Sequence, residues 1–448
     1  MSHISGLDNH TTKSVGENDH IEYGTSNNLD EKIVQFYFQL VRCKDHSNLE
    51  SMHDTILTLI LINPVYNKNE LYTMYKLIGY TRDIISGKGE QQLAFMQILG
   101  FYMRGLTLLS KLAIRNFVIR DDGEHAYGSW KDIKYLCNYV REKTGNPDHE
   151  LINWVIARLV LPQLEIDTLN YKSNIGQSWT GHAGTLPISL LAKWIPREKS
   201  KKFGWLFKKM AEQFKPEYLL TAKNKDMRKK AVIKCRIILN RALTTINKHL
   251  CTTQINQCAN AWSKIDFKTV TSITTRKQTN AFSNKNKKGN DAYKVEEFDK
   301  VEEFDKVEDR IQCADNYREF IEQAKNGKVA VKGRRGNVYE LVKDALARSK
   351  LTPEKTDTIN LQWEDNRKNN KGLGNIIACS DTSYSMTADN NIPLYNSIGL
   401  GIRISELTHP AFRDRMLSFA KTPVWHNLSD CQTFTDKVTK VCDIATGL

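Results

Sequence analysis

The stretch NIIACSDTSYSM at residues 375–386 is where the predicted fold of this chain changes from helices alone to alternating strands and helices. An apolar run in its first half leads into a polar loop, and a helical pattern follows at residues 393–407. Two strand-like runs come next, at residues 415–420 and 424–428, and a last helical pattern covers residues 430–445. Short apolar runs that alternate with helical periods predict an α/β domain in the order β-α-β-β-α.

The part of the chain that precedes this stretch has the periodicity of a helical protein. Apolar residues recur at spacings of three and four in successive segments, and the breaks between segments are short and contain turn residues. The predicted helices cover residues 54–62, 70–85, 91–103, 106–118, 130–142, 149–161, 186–195, 316–325 and 339–348. Short helices with short connections, and no fixed-period repeat, predict a mainly α fold, an irregular HEAT-like stack of helical hairpins.

Shifts in composition divide the chain into six predicted segments. They are a disordered N-terminus (1–28), a helical-repeat domain (29–283), a low-complexity charged insert (284–311), a helical continuation (312–350), a linker (351–373) and the α/β domain (374–448). The insert contains the hexapeptide KVEEFD twice, at residues 294–299 and 300–305, and we expect it to be a charged linker or an exposed helix. Within the helical-repeat domain, a loop rich in Gly and Ser is predicted at residues 173–184.

Positive charge is concentrated in one segment. The chain carries 65 Lys and Arg against 51 Asp and Glu, a net charge of +14, and residues 193–248 alone have 17 Lys and Arg against 4 Asp and Glu. Since phosphate contacts dominate nucleic-acid affinity, we interpret this segment as an RNA-binding face. Its candidate residues are Lys199, Lys201, Lys202, Lys208, Lys209, Arg228, Lys229, Lys230, Lys234 and Arg236. The alternative is a solvated helix face whose buried side is formed by the interleaved aromatic residues Trp194, Phe203, Trp205 and Phe207.

A loop of hard oxygen ligands follows the apolar run of the opening stretch. Asp381, Ser383 and Ser385 form the pattern D-x-S-x-S directly after a predicted strand. One carboxylate and two hydroxyls suit Mg²⁺ or Mn²⁺, and ligands of open α/β sheets bind beyond the carboxyl ends of the strands. We therefore predict a metal site on these three residues. The alternative is a Ser- and Thr-rich turn that caps the next helix.

Composition also indicates the cellular compartment of the protein. Its nine cysteines include no C-x-x-C pair, which argues against a disulfide framework and against a zinc ribbon. No apolar signal sequence is visible at the N-terminus, and the apolar runs are far shorter than the ~20 residues of a membrane-spanning helix. We expect a soluble cytoplasmic protein that has no membrane partner.

Several segments of the sequence resemble known families. Residues 374–448 look like the start of a von Willebrand factor A-like domain, on the motifs at residues 376–386, 399–407 and 417–423. An uncharacterised family of plants, fungi and giant viruses, which pairs a helical region with an A-like domain, has markers that resemble TRDIISGKGE (81–90), YGSWKD (127–132), LAKWIPRE (191–198) and CANAWSKIDF (258–267). That layout is more distantly similar to the TROVE/Ro proteins, whose helical repeats form an RNA-binding ring.

The resemblance implies how the metal site works and what it lacks in this sequence. In A-like domains a Thr and usually a further Asp from later loops complete the site, and here the sequence ends at residues 445–448, where that Thr loop would begin. Thr446 is a poor substitute, and without the later strands the first strand becomes an exposed apolar edge. We therefore expect a truncated A-like domain that binds Mg²⁺ or Mn²⁺ weakly by itself. The missing half would come from another chain, or the gene is split or decaying.

These inferences together predict a non-enzymatic RNA-binding or ribonucleoprotein scaffold whose A-like part docks a protein partner. No acid–base pair or nucleophile set is apparent, and no small-molecule substrate is indicated. Arg82 and Asp83 are expected to form an ion pair with each other rather than a site. The alternatives are a protein-interaction module that never meets RNA, and a decayed or split-gene fragment. The Asn- and Lys-rich usage and the duplicated hexapeptide fit an AT-rich genome such as that of a giant virus, which would leave a virion location open.

Overall fold

The computed structural model describes most of the chain as two compact units, Met1–Leu250 and Cys251–Leu448. The described residues are 13–15, 21–23, 28–41, 45–65, 67–178, 186–286, 289–293, 301–334, 336–347, 351–368, 370–419 and 421–446. Both units are mainly helical, as the periodicity predicts, and the C-terminal unit adds a small mixed sheet. In the described part of the chain, no helix combines the length and the apolar character that crossing a membrane requires.

The N-terminal unit is a succession of helices. They are α1 Leu29–Gln39, α2 Ser47–Ile62, α3 Lys68–Arg82, α4 Gln91–Met103, α5 Thr107–Asn116, α6 Trp130–Thr144, α7 Glu150–Val155, α8 Leu161–Ser178, α9 Leu191–Trp194, α10 Gly204–Phe214, α11 Glu217–Leu220 and α12 Lys225–His249. A π-helical turn, Ile156–Val160, joins α7 to α8 without a break in the chain direction. Before the first helix, strands β1 Lys13–Val15 and β2 Ile21–Tyr23 pair antiparallel.

Local signals and a shared apolar core explain these helices. The predicted helix at residues 91–103 coincides with α4, whose apolar residues are buried on nearly every face. Helix α6 starts at a capping box in which the backbone N–H of Ser129 donates to Oδ2 of Asp132 at 2.8 Å. It ends at Gly145, whose φ of +67° is the left-handed geometry that glycine adopts at helix ends.

The C-terminal unit contains seven further helices and the sheet, within its described residues. The helices are α13 Thr253–Cys258, α14 Ser272–Phe282, α15 Val301–Lys325, α16 Val338–Ala345, α17 Pro353–Arg367, α18 Ala388–Leu407 and α19 Phe434–Thr446. One core cluster is aromatic, around Phe267, Phe282 and Tyr317. A second cluster, which includes Trp363 and Ile402, fills the space between the sheet and the helices beside it.

The sheet has the element order that the sequence predicts. Strands β3 Ala378–Asp381, β4 Arg415–Phe419 and β5 Pro423–Asn427 lie side by side in that order. β3 runs parallel to β4, which the crossover through α18 permits, and β4 and β5 form an antiparallel hairpin. Among the described strands, β3 therefore lies at one edge of the sheet and pairs only with β4.

The start of α18 explains why the helical pattern is visible in the sequence only from Pro393 onward. Asp389, Asn390 and Asn391 have φ values of 50°, 59° and 63°, so the backbone is left-handed over three residues. Asp and Asn are the non-glycine residues that tolerate this region best. Regular helical geometry then follows at Pro393, whose fixed φ suits the first turn of a helix.

Several predicted segments differ from the structure. Most of the expected linker at residues 351–373 is helix α17. In the insert at 284–311, residues 301–311 belong to helix α15, which is the helical one of the two expected alternatives. Helix α8 continues to Ser178, through the first part of the loop predicted at residues 173–184. The remainder of that loop, most of the predicted disordered N-terminus and the first KVEEFD copy lie outside the described residues.

Candidate functional site

The oxygen loop, which we define as residues 381–385, is held at its start by contacts with β4 and α18. β3 ends at Asp381, and the chain turns into a 3-10 helix over Tyr384–Thr387. The backbone N–H of Thr382 donates to the carbonyl of Phe419 in β4 at 2.9 Å. The hydroxyl of Ser380 donates to a carbonyl of α18 at 3.1 Å. The loop therefore starts from a defined position at the carboxyl end of β3.

The three predicted metal-binding residues are close together in this loop. Oδ1 of Asp381 accepts the backbone N–H of Ser383 at 2.8 Å, and the hydroxyls of Ser383 and Ser385 are hydrogen-bonded to each other with their oxygens 2.9 Å apart. Hydrogen bonds from the side chain and backbone of Ser383 hold the pKa of Asp381 below its usual range, so the carboxylate is ionised at neutral pH. Tyr384, between the two serines, is 90% exposed, so the loop is open to solvent.

The spacing of the hydroxyls fits a small divalent cation. Two oxygens bound to neighbouring octahedral positions of Mg²⁺ at about 2.1 Å stand about 3.0 Å apart, which is close to the distance between Ser383 and Ser385. The described residues contain no group of three or more His, Cys, Asp and Glu that could hold a metal ion. A cation at this loop would thus have one carboxylate, Asp381, and would need water or a partner for its remaining ligands.

The ten predicted RNA-binding residues all lie in the N-terminal unit, on α10, on α12 and in the segment before α10. Three of them have carboxylate partners: Lys209 pairs with Asp148, Lys229 with Asp226 at 3.6 Å, and Arg236 with Glu198 at 3.7 Å. Within the described residues, the other seven form no ion pair, and we call them the basic face: Lys199, Lys201, Lys202, Lys208, Arg228, Lys230 and Lys234. Most of the predicted charge is therefore available to an external anion.

The aromatic residues of this segment are divided between the core and the surface. Phe207 is fully buried, and Trp205 packs against the core with the guanidinium of Arg141 4.6 Å from its ring. The interpretation of the aromatic residues as the buried side of the helix is confirmed for Phe207, whereas Trp205 is only partly buried. Trp194 and Phe203 are only half-buried, and lysine side chains surround both rings.

Two lysines outside the predicted segment belong to this surface. Nζ of Lys134, on α6, lies 4.9 Å from the ring centroid of Trp194 and 5.5 Å from that of Phe203. Nζ of Lys131, one turn earlier, lies 5.7 Å from Trp194. Together with Lys202, 5.7 Å from the ring of Phe203, these residues form what we call the lysine–aromatic cluster. The spacing of Lys131 and Lys134 predicts a shared helix face, but the meeting with Trp194 is tertiary and has no sequence signal.

Arg82 and Asp83 do not pair with each other, so that expectation is wrong. Arg82 makes a bidentate ion pair with Asp132 of α6, with Nε–Oδ2 and Nη2–Oδ1 distances of 3.0 and 2.9 Å, and both side chains are buried. Asp83 instead accepts a hydrogen bond from His125, with Nε2 3.0 Å from Oδ1. Consecutive residues at a helix end point their side chains in different directions, so each finds a partner elsewhere.

The C-terminal unit has a polar cavity of about 550 Å³. Buried Glu406 lies on its wall and accepts hydrogen bonds from Nε1 of Trp363 at 3.0 Å, from Arg403 at 3.1 Å and from Lys437 at 3.2 Å. Lys437 also pairs with Asp414 at 2.8 Å. The carboxylates of this network pair with its cations, so the network stabilises the junction of α17, α18 and α19.

Comparison with known proteins gives relatives whose own function is not described. Residues 375–448 match a family model described as a domain of unknown function (DUF7788), and residues 137–303 match another (DUF2828). An uncharacterized protein of Acanthamoeba polyphaga mimivirus is 25% identical over 424 residues, which is 93% of this chain and 63% of the relative. The chain thus spans less than two thirds of the length of this curated relative. No solved structure matches.

These findings confirm the broader part of the predicted resemblance. The chain is similar to uncharacterised domain families and to a giant-virus protein, in both its helical part and its C-terminal part. The similarity to A-like domains and to TROVE/Ro proteins stays a prediction.

Proposed function

We propose that this chain is a non-enzymatic RNA-binding scaffold, and that the basic face of the N-terminal unit holds the RNA. The observation that supports the proposal is the set of seven cations that lack a carboxylate partner in the described structure. When such cations contact phosphates, they displace the counterions that are condensed on the nucleic acid. This counterion release supplies most of the affinity of nucleic-acid complexes. A surface kept only for solubility would mix both signs of charge.

The test compares charge reversal on the face with the same reversal elsewhere. In the face variant, Lys199, Lys201, Lys202 and Arg228 are changed to Glu. In the control variant, the same change is made at Lys68, Lys76, Lys172 and Lys277, which are exposed and form no ion pair among the described residues. The two proteins have equal net charge, so a difference between them reports position.

Fluorescence anisotropy with a labelled single-stranded RNA gives the affinity of each protein. We expect the face variant to bind at least about tenfold more weakly than the control variant. Equal losses in both variants would show that only net charge matters, and would contradict the proposed face. A folded wild-type chain that ignores RNA but retains a protein partner after nuclease treatment would favour the protein-interaction alternative.

We also propose that the C-terminal unit docks a protein partner through a divalent cation held by the oxygen loop. The observation that favours it is the 2.9 Å spacing of the Ser383 and Ser385 hydroxyls beside the ionised Asp381. These three residues would hold Mg²⁺ or Mn²⁺, and the cation would supply a Lewis-acidic contact for a carboxylate of the partner. The exposure of Tyr384 leaves room for the partner to approach.

Titration of the full chain with Mn²⁺, followed by electron paramagnetic resonance, tests the metal proposal. We expect weak binding that is lost in Asp381→Asn. The matched control is Asp266→Asn, because Asp266 also accepts a backbone N–H two residues ahead, from Lys268 at 3.0 Å. If the two variants bind Mn²⁺ equally, the loop is not the site.

A further inference from the structure

The lysine–aromatic cluster gathers three positive charges, on α6 and in the segment before α10. Lys131 and Lys134 stand one turn apart on α6, and both extend over the ring of Trp194. Within the described residues, neither they nor Lys202 forms an ion pair. The carboxylate that lies between them in sequence, Asp132, is fully buried and bonded to Arg82 on the inner side of the helix. It therefore cannot neutralise the cluster.

Burial makes this arrangement costly for the free protein. The ammonium group of Lys134 is half-buried among three aromatic rings, at 4.9 Å from Trp194, 5.5 Å from Phe203 and 5.6 Å from Tyr135. Burial and the neighbouring charge of Lys131 lower the pKa of Lys134. The aromatic faces offset part of this cost, but a bound anion would offset more, because it opposes both the burial and the repulsion.

We infer that Lys131, Lys134 and Lys202, against Trp194 and Phe203, form a phosphate-binding site that anchors the backbone of the RNA strand. The inference rests on the proposed function and assigns it an anchoring point beyond the predicted segment. Lys202 belongs both to this cluster and to the basic face, so one strand can contact the two in succession. A phosphate at a partly dehydrated site forms stronger charge-assisted contacts than one at a fully solvated lysine.

The chemistry of the lysine–aromatic cluster indicates whether its ligand is a nucleic acid or an acidic protein. Three ammonium groups beside aromatic rings match a strand that offers closely spaced phosphates together with bases that can stack, which single-stranded RNA provides. A carboxylate of an acidic protein carries the same single charge as one phosphodiester, but it offers no base to stack on the rings. The chemistry therefore favours nucleic acid, and inorganic pyrophosphate is a small probe of the same site.

Two measurements on the full chain test the site, with a matched control pair. The site variant is Lys131→Gln with Lys134→Gln, and the control variant is Lys68→Gln with Lys76→Gln. The control removes equal charge from exposed positions of α3, and it includes a lysine that also lies over an aromatic ring, Lys76 at 4.2 Å from Tyr72. Lys134→Met is a second site variant that keeps the aliphatic contact with Trp194 if the Gln variant is poorly folded.

The first measurement is the affinity for single-stranded RNA, and the second is the rise in Tm with inorganic pyrophosphate. We expect the site variant to bind RNA at least about tenfold more weakly than the control variant. We expect pyrophosphate to raise the Tm of the wild type and the control by about 2 °C or more, and to leave the site variant unchanged.

The outcomes separate this inference from the proposed function. If the wild type binds RNA and the site and control variants bind it equally, the phosphate site is overturned while the RNA-binding proposal stands. If the wild type ignores RNA but pyrophosphate stabilises it through Lys131 and Lys134, the phosphate site stands and the RNA-binding proposal is overturned. If neither ligand distinguishes the variants, the cluster is not a phosphate site.

Discussion

His53 is a buried histidine in the core of the N-terminal unit. It is 2% exposed, and the rings of Phe36 and Phe101 have centroids 5.4 and 5.8 Å from its own. Within the described structure, its Nε2 atom has no hydrogen-bond partner. Loss of hydration lowers the pKa of His53 from 6.5 to about 4, so the side chain is neutral at pH 7.

This histidine makes stability depend on pH in a defined window. Between pH 6.5 and pH 4 the unfolded chain binds a proton at residue 53 and the folded chain does not, so stability falls as the pH falls. The free energy of unfolding should drop by about 3 kcal/mol across this window through His53 alone. Urea titrations of wild type and His53→Leu at several pH values check it. Curves of equal pH dependence would contradict the assignment.

The ion pair between Arg82 and Asp132 makes a second prediction at the scale of single residues. Asp132→Ala leaves the guanidinium of Arg82 buried without its partner, and we expect a loss of about 3–5 kcal/mol in the free energy of unfolding. The control is Asp121→Ala, which breaks the exposed pair with Arg115 and should change stability little. Similar effects of the two substitutions in urea denaturation would show that the buried pair contributes no more to the free energy of unfolding than the exposed pair.

At this scale the sequence predicts which side chains of one loop lie close together better than it predicts contacts between helices. Asp381, Ser383 and Ser385 are close in sequence, so their proximity after a strand could be predicted and is found. The partner of Arg82 lies 50 residues away on another helix, and no local pattern indicates it. The same holds for Lys134, whose contact with Trp194 depends on how α6 packs.

Helices were predictable where their buried face is apolar. Helix α4 fits this description, and its limits agree with the periodicity. The sequence of helix α17 predicts a linker because polar residues occupy part of its buried face. Gln362 is buried and donates to the carbonyls of Ser272 and Lys332 at 3.0 Å each, and buried Thr358 bonds the hydroxyl of Tyr317 at 2.8 Å. Internal hydrogen bonds offset the cost of burying these polar side chains, but a hydrophobic pattern does not reveal such bonds.

The junction of α17, α18 and α19 depends on Glu406. Arg403 stacks over Trp363 at 3.6 Å, and burial lowers the pKa of Arg403 to about 10. Glu406→Gln removes the negative charge that Arg403 and Lys437 share, and we expect the free energy of unfolding of this unit to fall by about 3–5 kcal/mol.

The control for this substitution lies on the same junction. Glu364→Gln weakens a half-exposed pair with Arg367 and should cost about 0–1 kcal/mol. Chemical denaturation followed by tryptophan fluorescence compares the two variants. Equal stability would mean that hydrogen bonds to the amide of Gln replace those to the carboxylate, and the proposed role of the charge at Glu406 would be wrong.

At the scale of the whole molecule, the predicted segments follow shifts in composition, whereas the two compact units follow packing. The unit boundary lies at Leu250, whereas the predicted boundaries follow the insert at 284–311 and the linker at 351–373. Helices α14 and α15 share an aromatic core, and Tyr317 of α15 bonds α17 directly. A composition shift marks residues that tolerate change, and such residues can lie on the surface of a unit as well as between units.

Charge is the whole-molecule property on which the proposed function rests. The segment at residues 193–248 carries nearly the entire net charge, and the fold leaves seven of the ten predicted cations unpaired among the residues it describes. The sequence could predict this concentration of positive charge, because the net charge of a segment follows directly from its composition. It could not predict which cations are neutralised, since Lys209 meets Asp148 from a distant part of the chain.

The salt dependence of RNA binding tests the central claim most directly. Each phosphate contact on a single strand contributes about 0.7 to the slope of log affinity against log salt, so contact with most of the basic face predicts a slope between about −3 and −5 for the wild type. Reversal of Lys199, Lys201, Lys202 and Arg228 should reduce that slope by about 3. A folded wild-type chain that binds no RNA at low salt, or binds it with a slope near zero, would contradict the account.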